Sequence, residues 1–226
     1  MSPQNKISKD KHFQDLMLHR IHDILLVSSP YDAFILEEDG RLTEQILHEY
    51  LGMNLSYAPR VWQANTASYA MDLLSRRSVD LVIIMMRISD MDFITFGQQI
   101  KKMYSKKPII FLAFDESEIK QLPEDYSKFM DNVFVWTGNS NVFPAIIKYI
   151  EDAKNIKRDT RKGDVRSIIY IEDSPRYYSS ILPIIYKEML FHSKNLIDKS
   201  LNNTQRLLHM RGRPKVLLAK NYEQAE

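Results

Sequence analysis

Four short apolar runs and one alternating segment, "RVWQANT", each followed by residues at helical spacing, limit what this chain can fold into. They are "DILLVSS" (23–29), "RVWQANT" (60–66), "DLVIIMM" (80–86), "PIIFLAF" (108–114) and "NVFVWTG" (132–138). Runs that are apolar almost throughout suit strands covered on both faces, whereas a half-exposed strand would alternate. Between them, "RLTEQILHEYLG" (41–52) sets Leu42, Ile46 and Tyr50 on one side and stops at Gly52. "ASYAMDLLSRR" (67–77) and "DFITFGQQIKKMY" (92–104) read as helices, and "SNVFPAIIKYIEDAKN" (140–155) carries Pro144 where a first helical turn accepts it. "PYDAFILEEDGR" reads as a long solvated loop ending in an Asp-Gly turn. The alternative there is a displaced acidic patch of Asp32, Glu37, Glu38 and Asp39.

Strands alternating with helices predict an α/β fold with a parallel sheet clothed on both faces. The expected topology is the flavodoxin-like doubly wound sheet, order 2-1-3-4-5, whose functional loops lie beyond the carboxyl ends of the strands. We read 1–21 as a helical extension, with an amphipathic helix over 8–21 displaying Phe13, Leu16 and Leu18, and 22–153 as the five-stranded domain. Residues 154–166 are charge-rich without apolar periodicity and read as a solvated linker. A second, partial unit follows over 167–226: the strand "SIIYIED" (167–173), a long helix over 175–211 with a kink at Pro183, the strand "PKVLLAK" (214–220), and a first helical turn in "NYEQAE". At about 1.5 Å per residue that helix would reach on the order of 50 Å. The chain stops mid-pattern, so a third strand of this unit is expected beyond Glu226.

Composition removes several classes of function. Among 226 residues there is no cysteine, which excludes disulfides, thiolate catalysis and Cys-ligated zinc. Lys+Arg 31 against Asp+Glu 29 leaves a net charge of +2, no global attraction for nucleic acid or acidic lipid. Nucleic-acid binding through the basic residues in 154–166 is the alternative reading, against which Asp159 and Asp164 interrupt the run and no aromatic platform adjoins it. No apolar run approaches the roughly 20 residues that span a bilayer, and the polar N-terminus lacks a secretory core, so no membrane association and a cytoplasmic location are expected. Neither G-x-x-x-x-G-K-[ST] nor G-x-G-x-x-G occurs, which weighs against nucleotide binding by the fragment itself.

The alternating pattern with "DLVIIMMRISDMDF" resembles a response-regulator receiver domain, and "IIYIEDSPRYY" resembles the opening of a second one. That family implies an acid pair holding Mg²⁺ after the first strand, a phosphoacceptor aspartate after the third, a hydroxyl after the fourth and a lysine after the fifth. Each role needs its functional group: oxygen ligands for a hard cation, a carboxylate nucleophile, a cation on the transferring oxygens. Over 22–153 those positions hold Ser28 and Ser29, Met85, Ala113, and Trp136 with Thr137. The resemblance thus implies a pseudo-receiver that is not phosphorylated and has no catalytic residue. In the second unit Glu172 and Asp173 stand at the acid-pair positions, as one edge of a Mg²⁺ site completed elsewhere or, equally, with Asp173 capping a turn.

"ILLVSSPYDAFILEEDGRLTEQI", "VFVWTGN", "IEDSPRYYSSILPIIYKEML" and "RLLHMRGRPKVLLAKNYEQA" together resemble the N-terminal region of bacterial proteins related to pyruvate phosphate dikinase and phosphoenolpyruvate synthase. The resemblance implies a parent that binds ATP and a C-terminal PEP/pyruvate-binding domain as partner in cis. The kinase chemistry would belong to that parent, and no cofactor is expected in this chain. The expected role is a regulatory or interaction module, not an enzyme, with a homodimer through the long helix 175–211 as a further partner. Phosphotransfer or nucleotide binding by the fragment itself is the second reading.

Overall fold

The computed structural model describes residues 16–38, 41–52, 58–199 and 211–226. Five parallel strands form the main sheet: β1 (Asp23–Val27), β2 (Arg60–Ala64), β3 (Leu81–Ile84), β4 (Ile109–Ala113) and β5 (Asn132–Val135), in the order β2-β1-β3-β4-β5. This is the flavodoxin-like arrangement. Strands β3, β4 and β5 are buried at every residue because helices cover both faces, while edge strand β2 is mostly accessible. Period-two alternation sends Ile24, Leu26, Ile83, Ile110, Leu112 and Phe134 to one core, and Leu25, Val27, Val82, Ile84, Phe111 and Val133 to the other.

The helices are α1 (Pro30–Glu38), α2 (Leu42–Gly52), α3 (Ala67–Arg76), α4 (Phe93–Met103), the one-turn α5 (Glu116–Ile119) and α6 (Val142–Gly163). The stretch 30–38 is thus α1 and not the solvated loop expected; Asp32 and Leu36 face inward from it. Helix starts follow side-chain chemistry. Thr66 accepts from Tyr69 N–H at the start of α3, Asp92 from Thr95 N–H at α4, and Asp115 from Ser117 and Glu118 N–H at α5.

A larger departure concerns 154–166. Through Gly163 these residues are a continuation of α6, with Asn155 and Asp159 fully buried. Their polarity serves an extended N-terminal strap. The described part of the helix expected over 8–21 is not helical; residues 18–22 run without regular structure along α6. Met17 N–H donates to the Asp159 carboxylate (3.2 Å), His19 N–H to Asn155 Oδ1 (3.0 Å) and Ile21 N–H to Glu151 Oε1 (3.0 Å). The spacings match: two extended residues advance about 6.6 Å and four helical residues about 6 Å. Gly163 lets the strap close, since a Cβ there would lie 2.8 Å from Leu16 Cδ1. Asp164 then ends the helix in the left-handed region, φ 50°.

The remaining chain builds β6 (Ser167–Ile171), α7 (Pro175–Asp198), β7 (Lys215–Ala219) and a last turn α8 (Tyr222–Ala225), with β6 and β7 paired in parallel. Pro183 lies within α7. Beyond residue 199 the expected long helix enters 200–210, outside the described residues. The inward stripe of α7 covers the first sheet and α6 in addition to its own two strands. Tyr178, Leu182 and Tyr186, with Val216 of β7, share the core of Leu26, Ile83 and Phe134.

Edge strand β5 is sealed by this packing. Val135 N–H donates to Ser179 Oγ (2.9 Å), and Tyr178 OH reaches both Asn132 Oδ1 (3.1 Å) and the Val133 carbonyl. A strand edge that could recruit another chain is thereby satisfied from within.

Candidate regulatory site

Four strands deliver the positions singled out from sequence to one edge of the sheet. Ser28 follows β1, is buried and donates its N–H to Ala64 O (3.1 Å). Ser29 Oγ accepts Asp32 N–H (3.0 Å), which spends it on the first turn of α1. Met85 follows β3; its N–H donates to Val27 O (2.9 Å) and its side chain, 1% exposed, belongs to the core. Ala113 ends β4 fully buried and accepts Trp136 N–H through its carbonyl (2.7 Å). Trp136 turns inward against Phe143, ring centroids 5.6 Å apart, while Thr137 is exposed. A thioether, a methyl and an indole therefore occupy the places where the resemblance asked for a carboxylate, a hydroxyl and an ammonium.

Above this edge sits a cluster that motif reading missed. Arg87, two residues past Met85, donates from Nε and Nη2 to Asp32 at 2.9–3.2 Å and approaches Glu118 Oε1 at 4.0 Å. Asp32 is buried on α1, and Glu118 on α5 accepts Phe114 N–H through Oε2 (2.8 Å). One guanidinium thus ties α1, the loop after β3 and α5 together. Its hydrogen bond to Asp32 raises the Arg87 pKa, while burial raises that of Glu118 above the ordinary glutamate value. The available signal was a lone basic residue directly after the most apolar run.

Neighbouring acids are also committed. Asp90 accepts Ala67 N–H, Ser68 N–H and Ser68 Oγ–H, so it caps α3 from the loop after β3. The hydrogen bonds from Ser68 and Ala67 hold Asp90 below the usual carboxylate range, and those from Thr95 do the same for Asp92. The "DMD" turn is therefore a pair of helix caps. Glu37, from the anticipated acidic patch, accepts Thr43 Oγ1–H (2.7 Å) and Gln63 Nε2–H (3.3 Å). It lines a surface cleft of about 440 Å³ with Ser28, Ser29, Phe34, Gln63 and Asn65.

In the second unit Glu172 Oε1 accepts Ser174 N–H (3.0 Å), and Asp173 is exposed. The turn-capping bond thus comes from Glu172 and not from Asp173, the residue named in the capping alternative. Among the described residues no three His, Cys, Asp or Glu side chains are grouped to hold a metal ion. Lys220, just past β7, donates to Tyr126 OH (2.7 Å), and Arg176 pairs with Glu116 (3.3 Å). The second unit's strand-end residues therefore reach the β4–β5 side of the first.

The sheet order defines a flavodoxin-like α/β fold. No family model matches the chain, and no curated protein matches it. Similar solved structures include a response regulator receiver domain protein from Clostridium thermocellum at 13% identity and TM-score 0.45, covering 61% of this chain and 99% of that one. A receiver domain protein of Methanospirillum hungatei is similar at 16% identity and TM-score 0.45, covering 61% and 98%. The response regulator TrrA of Thermotoga maritima, solved in complex with Mg(2+)-BeF, is similar at 19% identity and TM-score 0.44, covering 57% and 97%. These likenesses concern fold. Among the described residues no helix is long and apolar enough to cross a membrane.

Proposed function

We propose that this chain is a non-catalytic signal-transduction module that regulates through docking and does not take up phosphate. The observation that carries this reading is Met85, a buried thioether at the tip of the central strand, two residues before Arg87, whose pairing with Asp32 neutralises a buried carboxylate. A thioether cannot accept a phosphoryl group. A cation fixed on Asp32 leaves that acid poorly placed to serve as an oxygen ligand for Mg²⁺. The PEP/pyruvate-binding domain of an ATP-dependent dikinase-like parent is the proposed partner in cis, on the strength of the phrase-level resemblance alone. The second unit, with Glu172 and Asp173 at its strand end, would be the part of the module that takes a Mg²⁺ ion once further acids are supplied.

Incubation with acetyl phosphate and Mg²⁺, followed by intact mass measurement, tests the reading. The expected spectrum shows the unmodified chain. A stoichiometric gain of one phosphoryl group on 22–153 overturns it.

A further inference from the structure

The end of the main sheet opposite Met85 carries an imbalance of charge. Three acids stand at the amino ends of its strands, and each is engaged. Asp23 accepts from Arg60 Nη2 (3.1 Å) and Trp62 Nε1 (2.8 Å), and Asp80 from the N–H groups of His22 (2.8 Å) and Asp23 (3.1 Å). Asp131 accepts from Lys101 Nζ (2.8 Å) and Ile109 N–H (2.7 Å). Lys106, Lys107 and Lys154 are not matched in this way: none of the three has an acid within ion-pair distance among the described residues. All three line one cleft of about 410 Å³, beside Ser78, Tyr104 and Ser105, and Asp80 is the only acid among its described lining residues. Lys106 and Lys107 come from the loop before β4, and Lys154 from α6. Lys107 Nζ donates to the Val79 carbonyl, which fixes its position and leaves its charge unpaired. Burial lowers the Lys107 pKa against the pull of Asp80. Lys154 is exposed, yet lost solvation lowers its pKa too; Asp80 opposes that shift and Lys107 adds to it. The two ammonium groups thus repel across a partly desolvated space, an arrangement that a bound anion relieves.

We propose that this cleft is a binding site for a small phosphate-bearing anion, of the size of pyrophosphate or a phosphate monoester, held non-covalently by Lys106, Lys107 and Lys154. Charge and size choose the ligand. Ammonium groups are compact point charges that suit phosphoryl oxygens, and the hydroxyls of Ser78 and Ser105 add neutral donors on the same wall. Three cations without counter-charge favour a ligand that carries two or more negative charges. The cleft has the volume of a small-molecule site. Nucleic acid would instead need a basic groove with stacking platforms along it, and a net charge of +2 supplies no broad field. Asp80 and Met85 stand at opposite ends of β3, so binding here is independent of whether the Met85 end takes up a phosphoryl group.

Isothermal titration of the full chain with sodium pyrophosphate, at physiological chloride, provides the test. One saturable site per chain is expected. Lys106→Gln and Lys154→Gln leave the Lys107–Val79 contact in place, and each is expected to weaken binding about tenfold with unchanged far-UV circular dichroism. Lys187→Gln, on the exposed side of α7 and away from the cleft lining, is expected to leave the affinity as it is. No saturable binding at millimolar pyrophosphate overturns the proposal. So does binding that survives Lys106→Gln with Lys154→Gln in a folded protein, or that Lys187→Gln weakens equally. Tighter binding of an oligo-glutamate peptide than of pyrophosphate, lost in the same double variant, overturns the small anion in favour of an acidic protein partner.

Discussion

Glu118 shows how one side chain on this strand-end edge carries a pH signature. Burial holds its proton to higher pH than in the unfolded chain, against the opposing pull of Phe114 N–H and Arg87. Between the ordinary glutamate value of 4.5 and its raised folded value, the native state binds more protons than the unfolded one. Stability attributable to this residue is therefore fully present below that window and declines as pH rises through it. Glu118→Gln keeps an oxygen for Phe114 N–H and removes the titration. Relative to wild type, the variant should gain stability as pH rises through the same window, read from urea unfolding curves at stepped pH. A constant difference across the window would show that Glu118 does not titrate differently in the two states. Arg87 and Asp32 were only half legible in the sequence. Asp32 stood in an acid-rich stretch, but its partner lies 55 residues away, a distance no local pattern reports.

At the scale of elements, α6 is where the sequence misled most and where the fold concentrates buried charge. Apolar periodicity fades after Ile150, and such a polar run reads as solvated because exposed charge is the ordinary case. Here the charges face other elements. Asp152 accepts Arg213 Nη1 (2.9 Å) and Nη2 (2.7 Å) together with Val216 N–H, and Lys215 meets Asp159 at 3.0 Å with neither side chain exposed. Lys148 meets Glu151 at 2.7 Å. Burial disfavours both charged forms of that pair; it lowers Lys148, while Lys148 and Ile21 N–H outweigh it on Glu151 and lower that group too. The strands and helices α2, α3 and α4 are legible because each writes its own period locally, whereas α1 hides in an acid-rich stretch and the partners of buried ions are written on other elements. Breaking one pair should be costly. Arg213→Ala leaves the Asp152 carboxylate buried with only neutral donors, at an expected loss of about 3–5 kcal/mol in denaturant unfolding. Arg213→Met with Asp152→Leu removes both charges and should recover part of that loss, although Val216 N–H then lacks its acceptor. Equal losses in the single and double variants would mean that the ion pair itself contributes little.

For the molecule as a whole, the question is whether its two sheets unfold together. A two-stranded sheet has little core of its own, and here it borrows one. Tyr178, Leu182, Tyr186 and Val216 lie in the same cluster as Ile24, Ile83 and Phe134, and α7 supplies the groups that satisfy the edge of β5. The N-terminal strap and β7 both fasten to α6, the strap through Asp159, Asn155 and Glu151, and β7 through Asp152 and Asp159. Separating the sheets would expose a buried tyrosine pair, an unpaired strand edge and several uncompensated charges in one step. Cooperative unfolding follows from that arrangement. Fluorescence of Trp136, beside β5, read in a Trp62→Phe background, and native-state hydrogen exchange at Val216, in β7, should therefore report the same opening free energy. Tyr178→Phe, which strips the hydroxyl from Val133 and Asn132, should lower both readings together by about 1–2 kcal/mol. If Val216 exchanges through a smaller opening than the Trp136 transition, and Tyr178→Phe moves only one of the two, then the second sheet opens independently.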